Sequence, residues 1–129
     1  MRNEGGTVPD IEEWTFAGAS GKSYAFAVHP RRNGEFKNVE PQPAVYILGY
    51  RHPRGHLAGD VVEPLFIGQT DDLASRLADH PQWECILDEC FNCVCVLADR
   101  LTAEERTHCA DDLRRGNPTP CGEGTIRTS

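Results

Sequence analysis

Two basic side chains, Arg76 and His80, stand on what should be the apolar face of a helix. The stretch Thr70 to His80 reads as a helix stopped by Pro81, with Thr70 as its N-cap and Asp71 and Asp72 favouring its positive end. Leu73 and Leu77 mark its inner stripe, and Arg76 (three positions on from Leu73) and His80 (seven on) share that stripe. A guanidinium turned toward a sheet costs free energy unless it meets a partner or lines a wet cleft. The alternative is that it snorkels to water from the edge of the stripe. Gly68, in the strand just before, is the kind of residue that marks a close approach by a ligand or another backbone. A guanidinium matches phosphate oxygens and an imidazole titrates near neutrality, so the pair suits phosphate recognition or proton transfer.

Other chemistry-bearing residues have two readings each. Arg51, His52, Arg54 and His56 form a basic loop, either solvated or contacting phosphates. Cys90 and Cys93 have half of a zinc-site spacing with no second half, so buried thiols are preferred to structural zinc. Arg114 and Arg115 complement the negative end of the last helix, and Trp14 and Trp83 serve packing rather than base stacking.

The elements that must position these residues follow from pattern. Trp14–Phe16 and Ser23–Val28 flank a Gly/Ser turn and predict a hairpin, while residues 29–43 read as loop. Ala44–Tyr50 and Leu65–Gly68 are apolar strands joined by a long polar loop over 51–64. Residues 82–91 predict a second helix with Trp83, Ile86, Leu87, Cys90 and Phe91 on one face, and Cys93–Leu97 a third core strand. Thr102 and Glu105 form a capping box that opens a last helix, closed by Gly116.

The chain of 129 residues carries −7, with residues 60–129 holding −8, which is not the basic balance of a generic nucleic-acid binder. No apolar stretch is long enough for a membrane helix and the N-terminus has no secretory pattern, which predicts a cytoplasmic protein whose cysteines stay reduced.

Ala44-Val45-Tyr46 and Phe66-Ile67-Gly68 resemble the two half-motifs of the GIY-YIG endonuclease superfamily. The following Gly68, Thr70, Leu73, Arg76 and His80 resemble that family's Gly-x-Thr-x-x-Leu-x-x-Arg-x-x-x-His stretch, and Pro120-Cys121 its ending. The resemblance covers residues 44–122. It implies an α+β domain with a central three-stranded, mostly antiparallel sheet flanked by helices, the N-terminal hairpin being an addition. The expected organisation is a flexible arm over 1–13, one domain over 14–122 (hairpin and loop 14–43, motif-bearing core 44–122) and a flexible tail over 123–129.

The resemblance further implies phosphodiester hydrolysis assisted by one divalent ion, Mg²⁺ or Mn²⁺. Tyr46 would deprotonate or orient the attacking water, Arg76 would stabilise charge on the phosphoryl oxygens, and His80 would move a proton or position the phosphate. The chain departs from the pattern at several points. Ala110 stands where the metal-binding glutamate belongs, Phe66 replaces the second motif tyrosine, Ala44 the first glycine and Gly122 the terminal asparagine. Losing a metal-linked transition-state contact costs about 10³-fold or more in rate. The expectation is therefore an inactive or weakly active endonuclease-like chain that binds no ion tightly. The alternative is a non-catalytic module of the same fold binding nucleic acid (DNA ahead of RNA) or a protein partner, with no role at a membrane. A structural zinc or thiol protein ranks last.

Overall fold

The strand runs are apolar at consecutive positions because both faces of the sheet are covered. The computed structural model describes residues 12–32, 35–36, 40–56 and 59–122, without the side chains of 12 and 31–36. Its elements are β1 (Glu12–Ala17), β2 (Ser23–Arg32), β3 (Glu35–Phe36), β4 (Ala44–Pro53), β5 (Asp60–Thr70), α1 (Leu73–Ala78), α2 (Trp83–Asp88), β6 (Cys93–Leu97) and α3 (Ala103–Gly116). The class is α+β. Five strands lie in the order β1–β2–β6–β4–β5 with every neighbouring pair antiparallel, and β3 pairs with the end of β2.

This corrects the expected three-stranded sheet with an added hairpin. β4, β5 and β6 are adjacent, but β2 continues the sheet by pairing with β6 from Phe26↔Leu97 to Pro30↔Cys93. The reason is physical: a β6 whose side chains are all buried cannot leave its backbone edge unpaired. Glu12 and Glu13, expected in the arm, already belong to β1. The arm over 1–11 and the tail over 123–129 lie outside the described residues.

Alternation sorts the side chains. Val45, Ile47, Cys93, Cys95 and Leu97 join Phe16, Phe26 and Val28 under α3, whereas Ala44, Tyr46, Leu48, Val94 and Val96 lie with Leu73 and Ile86 of α1 and α2. Leu65 is the extra residue of a β-bulge between Leu48↔Phe66 and Gly49↔Pro64, which is why Leu65 and Phe66, though consecutive, both lie on the α1–α2 side.

Local expectations fail where tertiary pairing extends an element. Residues 29–32 continue β2, and much of 51–64 is a hairpin in which Arg51 faces Val62 and His52 faces Val61. Thr70 ends β5 rather than capping a helix; Asp72 is the N-cap, accepting from the Ser75 N–H at 3.3 Å. α1 stops at Ala78 and α2 spans only Trp83–Asp88, so Cys90 falls beyond the helix and is exposed, while Leu87, within it, is 51% exposed rather than on the buried stripe. The capping box at Thr102 and Glu105 forms as read. Cys85 and Cys121, expected as free thiols, are joined in a disulfide because the segment after α3 folds back beside α2. Closing a loop with a sequence separation of 36 contributes on the order of 4 kcal/mol through the unfolded chain.

Helix α3 is clasped from both sheet edges. The Asp112 carboxylate accepts from the Ser20 N–H (2.8 Å), the Ser20 hydroxyl (2.7 Å) and the Tyr24 hydroxyl (2.7 Å) at the β1–β2 turn. At the other edge, Arg114 donates to the Ile67 carbonyl at 3.1 Å. Among the described residues, no helix is long and apolar enough to cross a membrane.

Gly116 meets the β1–β2 turn so closely that a Cβ there would lie 2.7 Å from the Ala19 nitrogen and 2.8 Å from the Gly18 carbonyl carbon. Gly116→Ala is expected to cost about 1–3 kcal/mol, since the backbone it meets has to move. Urea unfolding checks this, and an unchanged midpoint would remove the close docking of α3 on the turn.

Candidate functional site

Tyr46 is the third residue of β4 and lies opposite Gly68 of β5. A Cβ on Gly68 would sit 2.6 Å from Phe66 Cε1 and 3.1 Å from the Tyr46 hydroxyl oxygen, so the glycine makes room for two aromatic side chains crossing above it. The close approach expected at Gly68 is therefore made by the protein's own rings.

His80 follows α1 and turns inward. Its Nδ1 accepts from the Gln82 N–H at 3.0 Å. In the neutral ring the proton is then on Nε2, which donates to the Tyr46 hydroxyl oxygen at 2.8 Å. Phe66 meets the imidazole edge-on at 4.6 Å and Trp83 lies at 5.5 Å, with the Trp83 indole N–H held by the Leu77 carbonyl at 3.1 Å. Tyr46 and Phe66 are completely buried and His80 is 4% exposed. Burial, and then the Arg76 charge, push the His80 pKa down to about 4, so the ring is neutral at pH 7.

Arg76 is half-buried on α1 and acts on His80 through its charge. Its guanidinium has no hydrogen-bond or carboxylate partner among the described residues. Their spacing predicts Arg76 and His80 on one helical face; instead the helix ends between them and His80 reaches the sheet from the following turn.

The start of the helix carrying Arg76 is tied down by a residue outside the sequence candidates. Arg106 of α3 is buried and donates to Asp71 (2.6 Å), the Gln69 side chain (3.2 Å) and the Leu101 carbonyl (3.2 Å). A signal was present: Arg106, Cys109, Ala110 and Leu113 share an i, i+3, i+4, i+7 stripe, and an arginine interrupts it just as Arg76 does on α1. Thr70 is buried, its hydroxyl accepting from the Asp72 N–H at 3.2 Å.

The remaining sequence candidates do not gather here. Arg51 is five residues beyond Tyr46, roughly 17 Å along an extended strand, and is paired with Asp60 at 3.0 Å. His52 is hydrogen-bonded to Glu63, which raises its pKa, and Arg54 and His56 are exposed at the hairpin turn. Ala44 and Ile67 are packing residues, as are Val45 and Phe66.

A divalent ion does not fit these residues. Ala110 is fully buried on the α3 side of the sheet, whereas Tyr46 and His80 lie on the α1–α2 side. Both imidazole nitrogens are engaged, and the described residues contain no group of three or more metal-ligating side chains. What the arrangement offers is a cation beside a neutral, hydrogen-bonded wall.

Tyr46→Phe is expected to strand the His80 Nε2–H and lower stability by about 1–3 kcal/mol, read by urea unfolding. The His80 pKa lies below its unfolded value of about 6.5. Between the two values the unfolded chain binds the extra proton, so this contribution to stability is complete above about 6.5 and lost as pH falls toward about 4. Urea midpoints across that window should fall more steeply in the wild type than in His80→Phe; equal slopes would mean that His80 is not buried neutral. Searches among family models, curated proteins and solved structures find no match for this chain.

Proposed function

We propose that this chain is a GIY-YIG-like module that recognises a phosphate group of nucleic acid at Arg76 and does not hydrolyse it. The observation that carries this reading is the half-buried guanidinium without a hydrogen-bond or carboxylate partner among the described residues, set beside a neutral His80. An anion is what such a group lacks, and a phosphate oxygen pair matches its fork. Support also comes from the hydrogen-bonded pairing of the two half-motif strands, which sets Tyr46 directly opposite Gly68. Hydrolysis is disfavoured by the complete burial of Tyr46 and by the misfit of a divalent ion.

DNA is preferred to RNA as the ligand. Since Arg51 and His52 are already paired with acidic partners and the chain carries −7, recognition is local rather than spread along a duplex. The same charge supports the second reading, a protein partner with a phosphate or carboxylate group. A cytoplasmic setting belongs to the proposal on sequence pattern alone; the Cys85–Cys121 bond weighs toward an oxidising compartment.

Fluorescence anisotropy with labelled single-stranded DNA, duplex DNA and RNA over a salt series tests the reading. Binding should weaken with salt and fall by about tenfold or more in Arg76→Ala, the loss expected for a hydrogen bond to a charged group. Incubation with Mg²⁺ or Mn²⁺ should leave the strands intact. Cleavage that disappears in Arg76→Ala would overturn the non-hydrolytic reading, and affinity unchanged by Arg76→Ala would remove the phosphate site.

A further inference from the structure

The β4–β5 hairpin runs past the helices that cover it. α1 and α2 have six residues each, about 9 Å of helix, whereas β4 has ten, about 33 Å of strand. Leu48 is fully buried, and Tyr50, two residues on, is only partly buried against the α1–α2 cluster. Alternation along β4 puts Tyr46, Leu48, Tyr50 and His52 on this one face, and Glu63 joins them by lying opposite Tyr50.

Tyr50 and His52 are stacked, with ring centres 4.7 Å apart and 24° between their planes. The imidazole is pinned at both nitrogens: its Nδ1–H donates to the Pro53 carbonyl at 2.9 Å, and its Nε2–H donates to the Glu63 carboxylate. Both partners are acceptors, so the ring that satisfies them carries a proton on each nitrogen. Glu63, and then the Pro53 carbonyl, accordingly raise its pKa. The His52 side chain is 27% exposed, and among the described residues no ring other than Tyr50 lies against it. With both edges engaged, recognition by this ring is left to its faces. One face is on Tyr50, and the other suits a flat, electron-rich partner.

We propose that the Tyr50–His52 stack is a shelf for a nucleobase of the strand whose phosphate Arg76 holds. This rests on the phosphate reading and extends it along the same face of the sheet, since Tyr50 stands four residues, roughly 13 Å, along β4 from Tyr46. Histidine and tyrosine rings both serve as stacking surfaces for unpaired bases. Every base has a π-face, so the shelf adds affinity without reading sequence. A phosphate is not the occupant, because the Glu63 carboxylate, 57% exposed, repels an anion there. The guanidinium takes the phosphate and the stacked rings take the base.

Fluorescence anisotropy of the full chain with two labelled probes tests this. One is an oligodeoxyadenylate of about ten nucleotides, within the length such sites span; the other is an abasic phosphodiester chain with the same number of phosphates. The wild type should bind the base-bearing probe about fivefold or more tighter than the abasic one. Tyr50→Leu combined with His52→Ala should lose that preference and keep its affinity for the abasic probe, with folding checked by circular dichroism. His52→Phe, which keeps a flat ring without the charge, should retain the preference. Equal affinity for the two probes in the wild type, a preference that survives in the double variant, or its loss in His52→Phe would each overturn the shelf. Arg76→Ala should weaken both probes alike and so tests the phosphate reading separately. If it weakens neither while the preference for bases stands, the phosphate reading falls and the shelf remains. No binding of either probe by the wild type overturns both and leaves the shelf to an aromatic side chain of a protein partner.

Discussion

A neutral imidazole sealed among aromatic rings is the constraint on which the α1–α2 face depends. His80 is buried against Tyr46, Phe66 and Trp83, and a buried ring of this kind needs a partner at both nitrogens. The Gln82 N–H fills one and the Tyr46 hydroxyl the other, which sets the tautomer, the ring orientation and the turn between α1 and α2 together. Gly68 is required by the same packing, because any side chain there would displace the tyrosine and Phe66. With the imidazole held neutral, Arg76 supplies the positive charge at this point. The proposed recognition of an anion rests on that charge, with Tyr46, Gly68 and His80 serving to position the fold around it.

Helix α3 performs the complementary task on the other face. Asp112, Gly116 and Asn117 bind its C-terminal end to the β1–β2 turn, while Arg106 and Arg114 reach across to β5. β5 is an edge strand, and such an edge must be covered or it invites further pairing. Two of its carbonyls are taken, Leu65 by the Cys121 N–H at 3.0 Å and Ile67 by Arg114. The Arg106–Asp71 pair also ties α3 to the turn from which α1 starts. The placement of Arg76 therefore depends on a helix on the far side of the sheet.

Much of this was legible because it is local. The cores of β4, β5 and β6 are short runs of strand-forming residues, the capping box at Thr102 and Glu105 is complete within four residues, and Arg76 stands out against Leu73 and Leu77. The misplaced features all depend on what lies across space. Asp71 and Asp72 after Thr70 give it the pattern of a cap, but β5 extends through it by pairing with Ala44. The positive run from Arg51 to His56 looked free because its partners, Asp60 and Glu63, come from the returning strand. Leu87 fits the helical spacing and lies within α2, yet its side is left uncovered by the rest of the fold.

The sequence by itself determined the α+β class, the strand cores, the two ends of α3 and the oddity of an arginine on an apolar stripe, since each is set by residue type over one or two turns. Only the tertiary structure decided that the hairpin is part of the main sheet, that Cys85 joins Cys121, that Tyr46 meets His80, and that Ala110 lies behind the sheet from both. The physical reason is the same in each case. Hydrogen-bond partners and sheet faces are assigned by the requirement that every buried polar group be satisfied at once, and that requirement spans the whole fold.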